Sequence, residues 1–143
     1  MNIGIVGIGV VGSAIKYGFE KIDHTVTAHD VRYDTSISDV TDTDIVYICV
    51  PTPALQDGKC DVTIVEEVVK DLDAHQYRGI VAIKSTVEPC TTKRLQKLYP
   101  KLTIAFVPEF LRERCAISDF TENHDLCVIG TNDIGTFNCI KKS

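Results

Sequence analysis

Three groups of residues in this sequence have the types and spacing to do chemistry. The first is Gly7-Ile8-Gly9-Val10-Val11-Gly12, a GxGxxG run. In such a run the first glycine permits a tight turn and the second leaves room for a pyrophosphate. The third lets the following helix pack closely on the strands. The helix start adds free N–H groups and a positive dipole end for phosphates. The second group is Asp30, about 20 positions past the glycines, where an acidic residue accepts hydrogen bonds from adenosine ribose hydroxyls. Its charge repels a 2′-phosphate and so favours NAD over NADP, a preference that nearby Arg32 weakens without reversing. The plainer reading is that Asp30 only ends a strand. The third group is Thr52, Ser85 and Thr86, whose hydroxyls suit a nicotinamide ribose or a substrate, together with Glu109 and Glu113. These two carboxylates are four apart and share a face if their segment is helical. One of them could then act as a general base, or position a water, beside a reacting alcohol. The competing reading makes Glu109 and Glu113 surface charges paired with Arg112 and Arg114.

Elements that could position these groups alternate along the chain. Ile3, Ile5 and Val6 form a short apolar strand that runs into the glycines. A helix follows over 13–22, with Ala14, Ile15, Gly18, Phe19 and Ile22 on its apolar face. A second strand spans 24–30, and a turn of helix fits around 37–40. Residues 45–50 read as a buried central strand that stops at Pro51-Thr52-Pro53. Asp61 or Thr63 caps the next helix, whose apolar face carries Ile64, Val65, Val68, Val69 and Leu72. Further strands are expected at 80–84, 102–107 and 125–129. Pro89 opens a helix through Leu98, and Asn132 is placed to cap a last one, too short to pack well. Strands alternating with helices imply a doubly wound α/β fold of the Rossmann type, a parallel sheet covered on both faces. In such sheets ligands bind past the carboxyl ends of the strands, and every residue of the three groups sits just past a predicted strand.

Composition narrows the classes. The 143 residues fit a single domain, 1–143, and a hydrophobic content of 44% supplies a core. A net charge of −5, with no basic run beyond Lys141-Lys142, argues against nucleic acid as a partner. No apolar run approaches a membrane span, and the strand-like N-terminus lacks the features of a signal peptide. The expectation is a cytoplasmic protein without a membrane partner. None of the six cysteines forms a CxxC pair and the four histidines show no ligand spacing, so no metal site is expected. Cys49 and Cys127 lie in apolar runs and read as small buried hydrophobes.

The segments GIVGIGVVG at the start, Asp30, VPTP at 50–53, KSTV at 84–87 and VPEFLRE at 107–113 resemble the NAD-binding domain of the UDP-glucose/GDP-mannose dehydrogenase family. The resemblance is to the UDP-glucose 6-dehydrogenases in particular. It implies twofold oxidation of a nucleotide-sugar C6 alcohol toward the carboxylate, with hydride transfer to NAD. It further implies that Gly7, Gly9, Val10, Val11 and Gly12 hold the pyrophosphate and that Asp30 holds the adenosine ribose. Thr52 and Thr86 would then lie along the nicotinamide half, Glu113 near the nicotinamide, and Glu109 linked to the hydrolytic water. Three departures stand out. No cysteine has the glycine-rich context of the family nucleophile, and the family's central helix and UDP-binding domain are not found. The stretch from Asp30 to Thr52 is also short, so a helix and an edge strand are expected to be trimmed from the sheet. The reading is therefore of the cofactor half of a UDP-glucose-type dehydrogenase, incomplete in isolation and completed by further domains or a partner chain. The alternative is a stand-alone NAD- or nucleotide-binding module without turnover. Apolar surface on the last helix would favour a homodimer.

Overall fold

Apolar runs with period two and amphipathic runs with period 3.6 alternate here, and they fold as a wholly parallel five-stranded sheet flanked by helices. The computed structural model describes residues 1–124 and 126–143. The elements are β1 (Asn2–Val6), α1 (Val10–Lys21), β2 (Thr25–His29), a 3-10 turn at Ile37–Val40, β3 (Ile45–Ile48) and α2 (Thr63–Ala74). They continue with β4 (Ile80–Ile83), α3 (Thr91–Leu98), β5 (Thr103–Phe106), a 3-10 turn at Glu113–Cys115, α4 (Ala116–Thr121) and α5 (Ile134–Lys142). Strand order is β2-β1-β3-β4-β5. The chain moves outward from β1 to β2, then returns to the other side of β1 as β3, so the switch point lies between β1 and β3. Only the 3-10 turn separates β2 from β3, as the short connection implied.

The pleat divides the core in two. Val6, Val46, Ile48, Val81 and Ile83 face α2 and α3, meeting Val65, Val69, Leu72 and Leu95. Ile3, Ile5, Ile45, Tyr47 and Ala82 face the other way, onto Ile15 and Phe19 of α1 and Ile140 of α5. Both faces of the sheet are therefore dry, which is why its strands read as continuous apolar runs. Register sets Val6 beside His29 and Ile48, Ile48 beside Ile83, and Ile83 beside Phe106. One row thus marks the carboxyl edge, and the next residues along it are Gly7, Asp30, Cys49, Lys84 and Val107.

The C-terminal third departs from the sequence expectation. No strand forms over 126–129 (Asp125 lies outside the described residues), and among the described residues Gly130 alone meets the edge of β5. That residue exchanges two antiparallel hydrogen bonds with Phe106, at 2.9 and 2.7 Å. Of the apolar run, Ile129 packs on the core while Leu126, Cys127 and Val128 are exposed. Hydrophobicity alone could not say that no element covers the run's outer face. The last helix also differs. Asp133, not Asn132, caps it, its Oδ2 accepting from the Thr136 N–H at 2.6 Å and the Thr136 hydroxyl at 2.7 Å. Although short, α5 does pack, burying Thr136 and Ile140, and the Tyr47 and Ser143 hydroxyls meet at 2.7 Å. Smaller differences fall at helix ends. Helix α1 begins at Val10, inside the glycine run, and Ile22 beyond its end is exposed. Cys90 takes a left-handed φ of 72°, so α3 starts at Thr91, two residues after Pro89. Neither candidate caps α2: Val62 takes the N-cap position without a side-chain cap, and Asp61, one residue earlier, accepts from the Thr63 N–H and hydroxyl at 3.0 and 2.6 Å.

Candidate functional site

The glycine loop crosses the switch point with little space to spare. Gly7 has φ +94°, and a Cβ there would lie 2.7 Å from the Cys49 carbonyl oxygen. A Cβ on Gly12 would lie 1.9 Å from the Gly7 carbonyl oxygen, so the helix start and the strand end touch backbone to backbone. At Gly9 the same construction meets nothing within 4 Å. The loop is closed on its protein side and open on its outer side. The Gly7 N–H donates to the His29 carbonyl at 2.8 Å, tying the turn to β2. No side chain caps α1, which leaves the first-turn N–H groups of Val10, Val11 and Gly12 for an external acceptor. Open space over Gly9 beside uncapped N–H groups fits a pyrophosphate.

Asp30 follows β2 and is 8% exposed. Its Oδ2 accepts from the Ile8 N–H at 2.7 Å and from Arg32 Nη2 at 2.8 Å. Its Oδ1 accepts from the Arg32 N–H at 3.0 Å and Nε at 2.8 Å. The guanidinium, helped by these N–H groups, holds the carboxyl well below the usual carboxylate range against the opposing effect of burial. Asp30 therefore does more than end a strand, because it locks the glycine loop to the tip of β2.

The remaining predicted residues line the carboxyl edge. Thr52, past β3, is half-buried and Thr86, past β4, is exposed. Ser85 is buried and its hydroxyl donates to the Val50 carbonyl at 2.7 Å, so it fastens the end of β4 to the loop after β3. Beyond β5 the structure corrects the expectation for both glutamates. Residues 108–112 are not helical, so Glu109 and Glu113 do not share a helix face. Glu109 is 14% exposed, and its Oε1 accepts from the Phe110 and Leu111 N–H groups at 2.7 and 3.1 Å. Its Oε2 faces Lys84 Nζ at 3.0 Å, and apart from that ion pair has no hydrogen-bond partner among the described residues. Glu113 opens the 3-10 turn and is exposed. The competing reading, in which these glutamates pair with Arg112 and Arg114, does not hold for Arg112. Arg112 instead grips buried Asp119, Nε to Oδ2 at 2.9 Å and Nη2 to Oδ1 at 2.6 Å.

Two residues of this edge escaped the sequence reading. Lys84 is 7% exposed, between Glu109 and the Phe120 ring, whose centroid lies 5.9 Å from Nζ. A lysine closing an apolar strand was the available signal. Asp119 had none, because its partner lies seven residues back across a turn. Cys49, at the same edge, has its thiol pushed up to about 12 by burial. Lys84 and Glu109 form the polar end of a cavity of about 800 Å³ walled by Phe110, Ile129, Phe137 and Ile140. Glu113 borders a different one of about 490 Å³, with Val10, Ser13 and Tyr17 of α1. The two carboxylates thus serve separate spaces. No group of three or more His, Cys, Asp or Glu among the described residues is arranged to hold a metal ion. No helix among them is long and apolar enough to cross a membrane.

A doubly wound parallel sheet, an open glycine loop at its switch point and a buried acid after β2 define a dinucleotide-binding domain. Residues 29–142 match the NAD binding domain of the UDP-glucose/GDP-mannose dehydrogenase family. The chain belongs to that family, and NAD is the cofactor of this domain. It is 32% identical over 135 residues to the UDP-glucose 6-dehydrogenase YwqF of Bacillus subtilis, covering 87% of this chain and 30% of that protein. It is 28% identical over 180 residues to the UDP-glucose 6-dehydrogenase AglM of Haloferax volcanii, covering 91% and 41%. A UDP-glucose dehydrogenase from Pyrobaculum islandicum has the same fold, with a TM-score of 0.85 at 26% identity over 97% of this chain and 42% of that one. The chain spans less than half the length of each of these relatives.

Proposed function

We propose that this chain is the cofactor half of a cytoplasmic nucleotide-sugar dehydrogenase that oxidises the C6 alcohol of a UDP-glucose-like substrate. The observation that carries the reading is the glycine loop, open over Gly9 and bonded through Ile8 to Asp30. In the proposal Gly7, Gly9, Val10, Val11 and Gly12 surround the pyrophosphate and Asp30 receives the adenosine ribose. Thr52 and Thr86 flank the nicotinamide half, with Ser85 fixing the loop between them. When bound, NAD supplies the hydride acceptor. Glu113 borders the helix start that receives the phosphates, which suits a role beside the nicotinamide. Glu109, whose Oε2 meets the Lys84 ammonium and no other donor among the described residues, suits holding a water or the substrate hydroxyl. The sugar nucleotide is held jointly with residues outside the stretch described here, from the same chain or a partner.

Calorimetric titration with NAD and UDP-glucose tests this, together with the Asp30→Ala variant. NAD should bind, and Asp30→Ala should weaken it roughly tenfold to a hundredfold, the worth of hydrogen bonds to a charged group. Equal NAD binding by both proteins would remove Asp30 from the site. No NAD binding at all by the unaltered chain would sink the cofactor assignment to this loop.

A further inference from the structure

The carboxylate that should receive ribose has no acceptor capacity left. An ionised carboxylate offers about four lone-pair sites. At Asp30 all are taken, by the Ile8 N–H, the Arg32 N–H, and Arg32 Nε and Nη2, at 2.7, 3.0, 2.8 and 2.8 Å. Arg32 Nη2 also donates to the Ile8 carbonyl at 2.5 Å, so the guanidinium lies across the gap between glycine loop and β2. Two of the four donors are backbone and cannot leave without unfolding the loop. The other two belong to a side chain that is 59% exposed and otherwise rests only near the Tyr33 ring, 5.7 Å away. A ribose hydroxyl can therefore reach Asp30 only by displacing the Arg32 side chain.

We infer that Arg32 sets the selectivity of this site between NAD and NADP: it competes with the adenosine ribose for Asp30 and, once displaced, offers its fork to a 2′-phosphate. The inference rests on the cofactor reading above. Both halves follow from the same geometry. The pair joins a half-exposed, bidentate guanidinium to a buried carboxylate, so its exchange for ribose hydroxyls costs NAD affinity. A displaced guanidinium two residues from Asp30 stays within reach of a phosphate on the 2′ position, where it can form charge-assisted, bidentate bonds. It thereby offsets the repulsion that Asp30 exerts on that phosphate. Arg32 narrows the gap between the two dinucleotides from both sides.

The test is calorimetric titration of the full chain with NAD and with NADP, for the unaltered protein, Arg32→Ala, Arg32→Lys and Asp30→Ala. Arg32→Ala should bind NAD roughly tenfold more tightly, because ribose no longer has to displace a charge-assisted bond, and NADP roughly tenfold more weakly, the worth of a charged hydrogen bond. Arg32→Lys should fall between for NADP, because an ammonium keeps the charge and loses the fork. In the free protein the Arg32 Nε–H proton should exchange slowly, and NAD should abolish that protection. An unchanged NAD-to-NADP ratio in Arg32→Ala, or weaker NAD binding by it, overturns the inference. If Asp30→Ala weakens NAD in the same series, the cofactor reading survives that failure. If neither substitution alters NAD binding, both fall.

Discussion

Asp30 and Glu109 are built alike and behave as opposites. Each is a carboxylate past a strand, each accepts from two backbone N–H groups, and each faces one cation. The cation at Asp30 comes from two residues away and is 59% exposed, whereas the one at Glu109 comes from a different strand and is 7% exposed. Water can replace Arg32, so the Asp30 clamp can open for a ligand. Among the described residues Glu109 is the one carboxylate that pairs with the buried ammonium of Lys84, which the Phe120 ring also flanks, so that pair is fixed. The comparison suggests a division of labour across one sheet edge, with exchangeable binding at the adenosine end and rigid placement at the far end.

The largest effect should come from breaking the fixed pair. Lys84→Met leaves a buried carboxylate without its cation and should cost about 3–5 kcal/mol in chemical denaturation. Adding Glu109→Leu should restore much of that loss. A single-variant cost near zero would make the two clamps equivalent and end the comparison. Next comes the loop that the Asp30 clamp secures. Gly12→Ala forces a Cβ against the Gly7 carbonyl and should cost roughly 1–3 kcal/mol by overpacking. Gly9→Ala points into open space, so it should stay within about 1 kcal/mol of the unaltered protein while blocking NAD. Titration separates the variants only if Gly9 faces the ligand.

Acid should open the arginine clamps in a defined direction. Asp30 and Asp119 are both held below the usual carboxylate range by their arginines. Their contribution to stability is thus complete above the ordinary value of about 4 and declines as pH falls below it. Asp119→Asn should flatten the acid limb of a stability-against-pH curve, and a limb unchanged by it would remove Asp119 from the account. The smallest effect is expected at Glu113, where Glu113→Gln should change stability by less than about 0.5 kcal/mol because the side chain is exposed. A larger loss would mean that Glu113, like Glu109, is held by the fold.

The half of the molecule around the glycine loop was legible because its signals are local. Gly7 needs a positive φ, Gly12 needs no side chain, and Asp30 sits where β2 ends, all within one βαβ unit. The parallel sheet was legible for a similar reason, since strands buried on both faces must be apolar throughout. Past β5 the signals are long-range or absent. Glu109 and Glu113 have helical spacing, yet residues 109–112 form no helix, and the Glu109 carboxylate bonds the N–H groups of Phe110 and Leu111 instead. Arg112 adjoins Glu113 and lies three residues from Glu109 in sequence, and yet bonds Asp119. The run at 126–129 is apolar enough for a strand, but only Gly130 reaches a partner.

By itself, then, the sequence determined the glycine loop, the acid that meets it and the order of elements. Each of these depends on the conformations open to a few neighbouring residues. Tertiary structure alone decided which cations Glu109 and Asp119 meet and which cavity each glutamate borders. Charges pair with whatever the packed sheet brings within reach, and Lys84 reaches Glu109 only because β4 and β5 lie side by side.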